Sequence, residues 1–357
     1  MRNLEDIWGD AMKQQNQTID FVITWVDGSD PAWQAEKARW QKPAEEEACA
    51  QVRYRNWDTL HYWFRAVETY APWVNRVHLI TWGHVPAWLN LAHSKLHVVR
   101  HEDYIPAEYR PTFSSHPIEL NIHRIPGLAE QFVYFCDDFY LGAPCAPEDF
   151  FREGMPCDSL SETPLSAGVP STYNYVRLND TAFISRHFDR IEVRKKLWKK
   201  WFSFRTPKAL ARNLLTLPLR RREFVGLTVQ HLPQAYLKSS FQKVWDLEPA
   251  LLDATCRRKF RDYRDVSHCI IKHYQLLTGV FYPYDTAAVG YSFGSQWDLK
   301  AVQAAIVEKR YKLLCINDNE YMADRFDEAK AALHAAFQTA LPQASSFELP
   351  GGREASV

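Results

Sequence analysis

The chain has no surplus of charge: 43 Lys and Arg balance 43 Asp and Glu across 357 residues. Gripping nucleic acid needs a net basic field, so that class of partner is excluded. It has no Cys-x-x-Cys pair, and its cysteines, Cys49, Cys136, Cys145, Cys157, Cys256, Cys269 and Cys315, are odd in number. That argues against a disulfide framework or a structural zinc site and fits a reducing compartment. No apolar run approaches membrane-spanning length, and the segment from Met1 to Thr18 is polar, without the apolar stretch of a secretion signal. The expectation is a cytoplasmic protein that at most lies on the inner face of a membrane. Walker, G-x-G-x-x-G, G-x-S-x-G, H-E-x-x-H and EF-hand patterns are absent, which sets aside those enzyme classes.

What is present is ample material for a core, 46% hydrophobic and 14% aromatic. Short β-branched and aromatic runs recur at 19–26, 77–81, 96–99, 132–135 and 311–316. Between the early runs lie segments of helical character: Ala32–Trp40, a stretch with Leu60, Trp63, Phe64 and Val67 at helical spacing, and Ile118–Arg124. Strand–helix alternation predicts an α/β fold with a mainly parallel, Rossmann-like sheet flanked by helices. A mostly helical region is expected from Leu232 to Thr278, a closing helix from Asp324 to Ala340 and a disordered tail over 341–357. Segments 19–189 and 225–340 read as one catalytic domain, with 190–224 as a helical insertion.

In a parallel sheet, ligands bind beyond the carboxyl ends of the strands. Asp27-Gly28-Ser29-Asp30, the His101–Asp103 loop and Asp137-Asp138 all stand at such ends. Two adjacent carboxylates after an apolar strand are costly unless hydrated, hydrogen-bonded or bound to a cation. They suit Mg²⁺, or Mn²⁺, carrying the phosphates of a nucleotide-sugar, although a pair of ordinary loop acids reads the same way. Gly28 allows close backbone approach, and Asp27 and Asp30 can orient a ribose; all three are also good turn formers. His231 opens a segment after an extended run, and a neutral imidazole near a bound phosphate could take the proton of an attacking hydroxyl. Glu119, His123 and Arg124 fall at near-helical spacing, as site residues or as a buried ion pair.

Residues 190–222 crowd cations, including Arg190, Lys199, Lys208 and Arg212, among Trp198, Trp201, Phe202 and Phe204. Three readings fit: a solvated helical face, a peripheral contact with a membrane surface, or a groove for an anionic glycan.

The strings Ile19–Pro31, Arg53–Gly142 (with Ala71-Pro72-Trp73-Val74, Thr81-Trp82-Gly83 and Pro111-Thr112-Phe113-Ser114-Ser115), His231–Asp265 and Cys315–Asn319 resemble, in order, the four conserved blocks of the Stealth family. That family includes bacterial capsular polysaccharide phosphotransferases and the α/β subunits of the animal GlcNAc-1-phosphotransferase. At one position the chain departs from the family pattern: Cys136 precedes the two acids where Asn is usual.

The resemblance implies a GT-A-like catalytic domain and a nucleotide-sugar donor, commonly a UDP-hexose. It implies transfer of hexose-1-phosphate to a hydroxyl of a glycan or lipid-linked oligosaccharide, with a nucleoside monophosphate released. On this reading Asp137 and Asp138 hold the metal, His231 is the base and Arg261 a phosphate ligand. Asp27, Gly28 and Asp30 line the nucleotide end, and Asn317 and Asp318 close the pocket. Two rivals remain at this stage: a metal-dependent glycosyltransferase releasing a nucleoside diphosphate, and a non-catalytic glycan-binding protein.

Overall fold

The computed structural model describes residues 18–41, 54–166, 168, 171–219, 221–294, 298–318 and 324–351. The acidic stretch Glu45–Glu47, Cys49, Arg53, Arg220, Asn319 and the tail beyond 351 lie outside the described residues.

The central sheet has five strands in the order β3-β2-β1-β4-β6: β1 (Ile19–Thr24), β2 (Val77–Thr81), β3 (Leu96–Arg100), β4 (Gln131–Phe135) and β6 (Gln234–Leu237). The first four run parallel, and β6 pairs antiparallel with β4. This is the mainly parallel α/β sheet that the alternation predicts. Its strands are apolar along their length because both faces are covered. Successive side chains alternate between faces, so Phe21, Ile23, Val133 and Phe135 enter one core while Val22, Phe132 and Tyr134 enter the other.

On the first face lies α2 (Leu60–Tyr70), whose Leu60, Trp63, Phe64 and Val67 are all buried, as their spacing requires. A three-stranded sheet adjoins this layer: β7 (Gly290–Phe293), β8 (Leu313–Ile316) and β5 (Phe139–Leu141), with β8 central. The closing helix α11 (Phe326–Ala340) packs there through Leu333 and Phe337. Helices α4 (Thr172–His187), α8 (Lys238–Leu247), α9 (Pro249–Cys256) and α10 (Cys269–Thr278) cover the second face.

Three local expectations change. Gln234–Leu237, expected helical, is the antiparallel edge strand β6, because β4 offers its open side there. The span Ile118–Arg124 is not one helix: α3 (Ser115–Leu120) ends before a separate turn of 3₁₀ helix at Ile122–Arg124. The tail is packed as far as it is described. Leu341 and Phe347 are buried, Glu348 accepts from Nε and Nη2 of the Arg65 guanidinium, and Leu89 bridges to Glu348.

The basic segment forms α5 (Arg190–Lys196), α6 (Trp198–Trp201) and α7 (Pro207–Leu215). Arg190, counted among its surface cations, is fully buried against Glu162 at 2.6 Å. Among the described residues no helix is long and apolar enough to cross a membrane.

Candidate functional site

The turn after β1 is built by its own polar groups. The Asp27 carboxylate accepts the backbone N–H (2.9 Å) and hydroxyl (2.6 Å) of Ser29, while the Asp27 N–H donates to His84 Nε2 at 2.7 Å. Asp30 caps α1 (Pro31–Trp40) by accepting the Trp33 N–H at 2.7 Å. Gly28 backs onto Tyr54 so closely that a Cβ would stand 2.0 Å from the Tyr54 carbonyl oxygen. The three residues therefore share one tight loop, which directly follows Trp25 and Val26; those two, with Arg55, Trp57 and Asp137, line a crevice of about 380 Å³ including its open mouth.

Asp137 and Asp138 form the turn between β4 and β5. Asp137 lines that crevice, and Asp138 reaches Cys315 and His231. Asp138 Oδ2 lies 3.3 Å from Cys315 Sγ and 3.7 Å from His231 Nδ1, and those two are 3.1 Å apart. Asp138 Oδ1 is buried without a hydrogen-bond partner. The backbone locks this arrangement, since the Ile316 N–H donates to the Asp138 carbonyl at 2.9 Å.

Burial raises the pKa of both carboxyls, and the Asp318 charge adds to it, as does Asp138's own charge on Asp137; Arg261 opposes the rise. Asp137 has surface open to water, yet protein surrounds it closely enough for desolvation to dominate. A site that disfavours two neighbouring negative charges is one that a cation would relieve. Cys136, Asp138 and His231 offer ligand atoms within 4.8 Å of one another. Asp138, with its orphaned oxygen, suits a hard divalent ion; Asp137 stands beside it in the chain but outside that trio, and the thiol is a softer neighbour.

His231 is half-exposed, and burial of the remainder, with the nearby His268 and Arg261, pushes its pKa down to about 4. The ring is thus neutral near pH 7. Its Nδ1 is engaged by Cys315, and the edge of Phe139 steadies the ring at 4.8 Å between centroids.

Behind these residues a polar network supports Arg261. Glu119, buried in α3, accepts the Tyr134 hydroxyl at 3.0 Å and lies 2.8 Å from His268 Nδ1. Burial acts to raise its pKa, but the charges of His268, His116 and Arg261 prevail and bring it to about 2. Arg261 donates to the Ser115 hydroxyl at 2.8 Å. Asp265 anchors the neighbourhood, accepting from Arg258 at 2.8 Å and lying 3.1 Å from His116 Nδ1.

Asp137, Asp138, His231, Arg261 and Glu119 therefore share one neighbourhood. His123 and Arg124 are not gathered with Glu119. The break after Leu120 turns His123 onto Phe241, stacked at 5.7 Å, and sets the Arg124 guanidinium over Trp245 at 5.0 Å. The Asn317 N–H donates to the Phe293 carbonyl, while Asp318 takes Arg55 in a two-point pair at 2.8 and 2.5 Å. His101 lies in a short helix, His101–Tyr104, rather than a loop.

Cys315, His268 and Arg55 are members of the site region to which sequence reasoning gave no role. Cys315 and Arg55 stood inside conserved strings, which was the available signal. His268 lay just past the third string.

A second cleft, of about 650 Å³ including its open mouth, is lined by Arg152, Arg205, Tyr282, Tyr284 and Asp285. At its border the Thr286 hydroxyl donates to the side chain of Gln230, the residue before His231.

Comparison with known proteins identifies the family. Family models match Stealth protein conserved region 1 over residues 17–41, conserved region 2 over 53–158 and conserved region 4 over 304–356. The capsular polysaccharide phosphotransferase WcwK of Streptococcus pneumoniae is 36% identical over 94% of this chain and 99% of its own. The receptor polysaccharide phosphotransferase WefC of Streptococcus oralis is 37% identical over 93% and 99%, and the exopolysaccharide phosphotransferase cps2G of Lactiplantibacillus plantarum 36% over 92% and 96%. Among solved structures, the galactosyltransferase LgtC aligns over 88% of this chain and 95% of its own, at 11% identity and a TM-score of 0.36, a likeness too loose to bear on the site. With relatives matched along nearly their whole length and three conserved regions in order, the chain belongs to the Stealth family and is, like these relatives, a transferase.

Proposed function

We propose that this enzyme transfers hexose-1-phosphate, such as GlcNAc-1-phosphate, from a UDP-sugar to a hydroxyl of a glycan or lipid-linked oligosaccharide in the cytoplasm, releasing UMP. One observation carries the reading: the Asp137-Asp138 pair, a neutral half-exposed histidine and a guanidinium meet beyond the carboxyl ends of parallel strands.

In the reaction, the acceptor oxygen bonds to the phosphorus next to the sugar, and the bond from that phosphorus to the bridging oxygen breaks. UMP leaves, a phosphodiester forms, and the anomeric configuration is kept. His231, with Nδ1 facing Cys315 and Asp138, takes the hydroxyl proton at Nε2. Arg261, held by Ser115, offsets charge growing on the phosphoryl oxygens. Asp137 and Asp138 would hold Mg²⁺ or Mn²⁺, which when bound neutralises the diphosphate. On this reading the nucleotide lies on the side of Asp137 and the Asp27–Asp30 loop, and the acceptor enters from the cleft lined by Arg152, Arg205, Tyr282 and Asp285.

The test is incubation with a panel of nucleotide-sugars and an oligosaccharide acceptor, with Mg²⁺, Mn²⁺ or chelator, followed by mass analysis of the nucleotide released. A monophosphate, lost with chelator, is expected. A diphosphate would move the enzyme to glycosyl transfer, and unchanged turnover in chelator would remove the metal role.

A further inference from the structure

The end of α7 and the turn after it are built inside out. Along Asn213–Leu219 the polar side chains Asn213 and Thr216 are buried, while Leu214, Leu215, Leu217 and Leu219 are exposed. The inversion is enforced by hydrogen bonds. The Asn213 side chain accepts the Glu162 N–H at 2.8 Å and donates to the carbonyls of Leu160 and Trp201 at 2.9 and 2.7 Å. The Thr216 hydroxyl donates to Glu162 at 2.6 Å, and the buried Arg190 donates to the carbonyls of Thr216 and Leu219. The backbone is thus pinned from within, and the leucines are held where water meets them.

These leucines are not alone. Six of the fifteen exposed large apolar side chains among the described residues fall in 198–219, and Phe204 and Leu215 are 90% and 80% exposed. Scattered exposed leucines are ordinary, but a concentration of this kind in a pinned segment marks a surface that is covered in use. The charges say by what. Lys199, Arg205, Lys208 and Arg212 are interleaved with the apolar groups and are themselves exposed. Apolar side chains able to enter an interface, carried on the same segment as cations able to meet lipid phosphates, make the chemistry of an anionic bilayer surface.

We infer that the 198–219 surface docks this enzyme on an anionic membrane, with Phe204 and Leu214–Leu219 inserted at the headgroup boundary. This deepens the reading above, because a lipid-linked acceptor would then be met where it resides, and it rests on that reading only for its purpose. Docking itself needs neither donor nor metal.

The full-length protein is sedimented with vesicles of phosphatidylcholine alone and of phosphatidylcholine mixed with phosphatidylglycerol, without nucleotide-sugar. Wild type should bind the mixed vesicles at least roughly tenfold more tightly, and raised salt should weaken the binding. The variant F204S/L215N, changed only at exposed positions, should lose roughly tenfold or more of that affinity. It should keep the wild-type Tm and its turnover on a water-soluble acceptor. Wild type ignoring both vesicles, or the variant binding as wild type does, overturns the proposal. So does a dimer in light scattering that dissociates in the variant, which would assign the patch to a second copy of the chain. Because binding is read without turnover, its failure and a failure to release UMP are separate results.

Discussion

Glu162→Ala is expected to cost far more than an ordinary surface substitution. Glu162 and Arg190 are both fully buried and joined at 2.6 and 2.7 Å, and Glu162 also accepts the Thr216 hydroxyl. Removing the carboxylate leaves a guanidinium enclosed without its counter-charge, a loss of about 3–5 kcal/mol. At roughly 2.1 cal/mol/K per residue, the 357-residue chain has an unfolding entropy of roughly 0.75 kcal/mol/K, so the loss lowers Tm by about 5 °C. Differential scanning calorimetry of Glu162→Ala, Arg190→Met and the double variant E162A/R190M measures it. The double variant should lose less than the sum of the singles, since no unpaired charge remains. A shift below about 1 °C for Glu162→Ala, or strictly additive losses, would refute the idea that this pair pins the 190–219 segment to the sheet domain.

His231→Ala should lower kcat by about 10²–10⁴-fold with little change in donor KM, as steady-state kinetics would show, because the imidazole serves proton transfer rather than donor binding. Glu119 supports a pH dependence with a definite sign: its folded pKa of about 2 lies below the ordinary 4.5, so its contribution is present above about 4.5 and is lost as pH falls toward about 2. Urea midpoints measured down that range should fall less steeply in Glu119→Gln than in wild type. Gly28→Ala places a Cβ against the Tyr54 carbonyl, so the loop must move; the expected outcome is a raised donor KM together with a lower Tm.

Much of the frame was legible because it is local. β1 to β4 announce themselves as short β-branched and aromatic runs, and α2 shows its buried face as Leu60, Trp63, Phe64 and Val67. The Asp137-Asp138 pair stood out because two acids after an apolar strand contradict their surroundings. The edge strand β6 was read as helix because its four residues carry no pattern of their own; they are extended because β4 has an open side for them. The break between Glu119 and His123 was missed for a related reason, as near-helical spacing survives in the sequence even where the helix stops.

By itself the sequence determined the alternation of strand and helix, the buried stripe of α2, the acid pair at a strand's end and the conserved strings that mark the family, because each depends on neighbours within a few residues. The tertiary structure alone decided that Asp138, His231 and Cys315 would touch, that Arg55 would take Asp318, and that leucines at the end of α7 and just beyond it would face water while Arg190 went inside. Those contacts join positions tens to hundreds of residues apart. They exist only once the sheet has brought the strand ends together and a buried charge has found its partner.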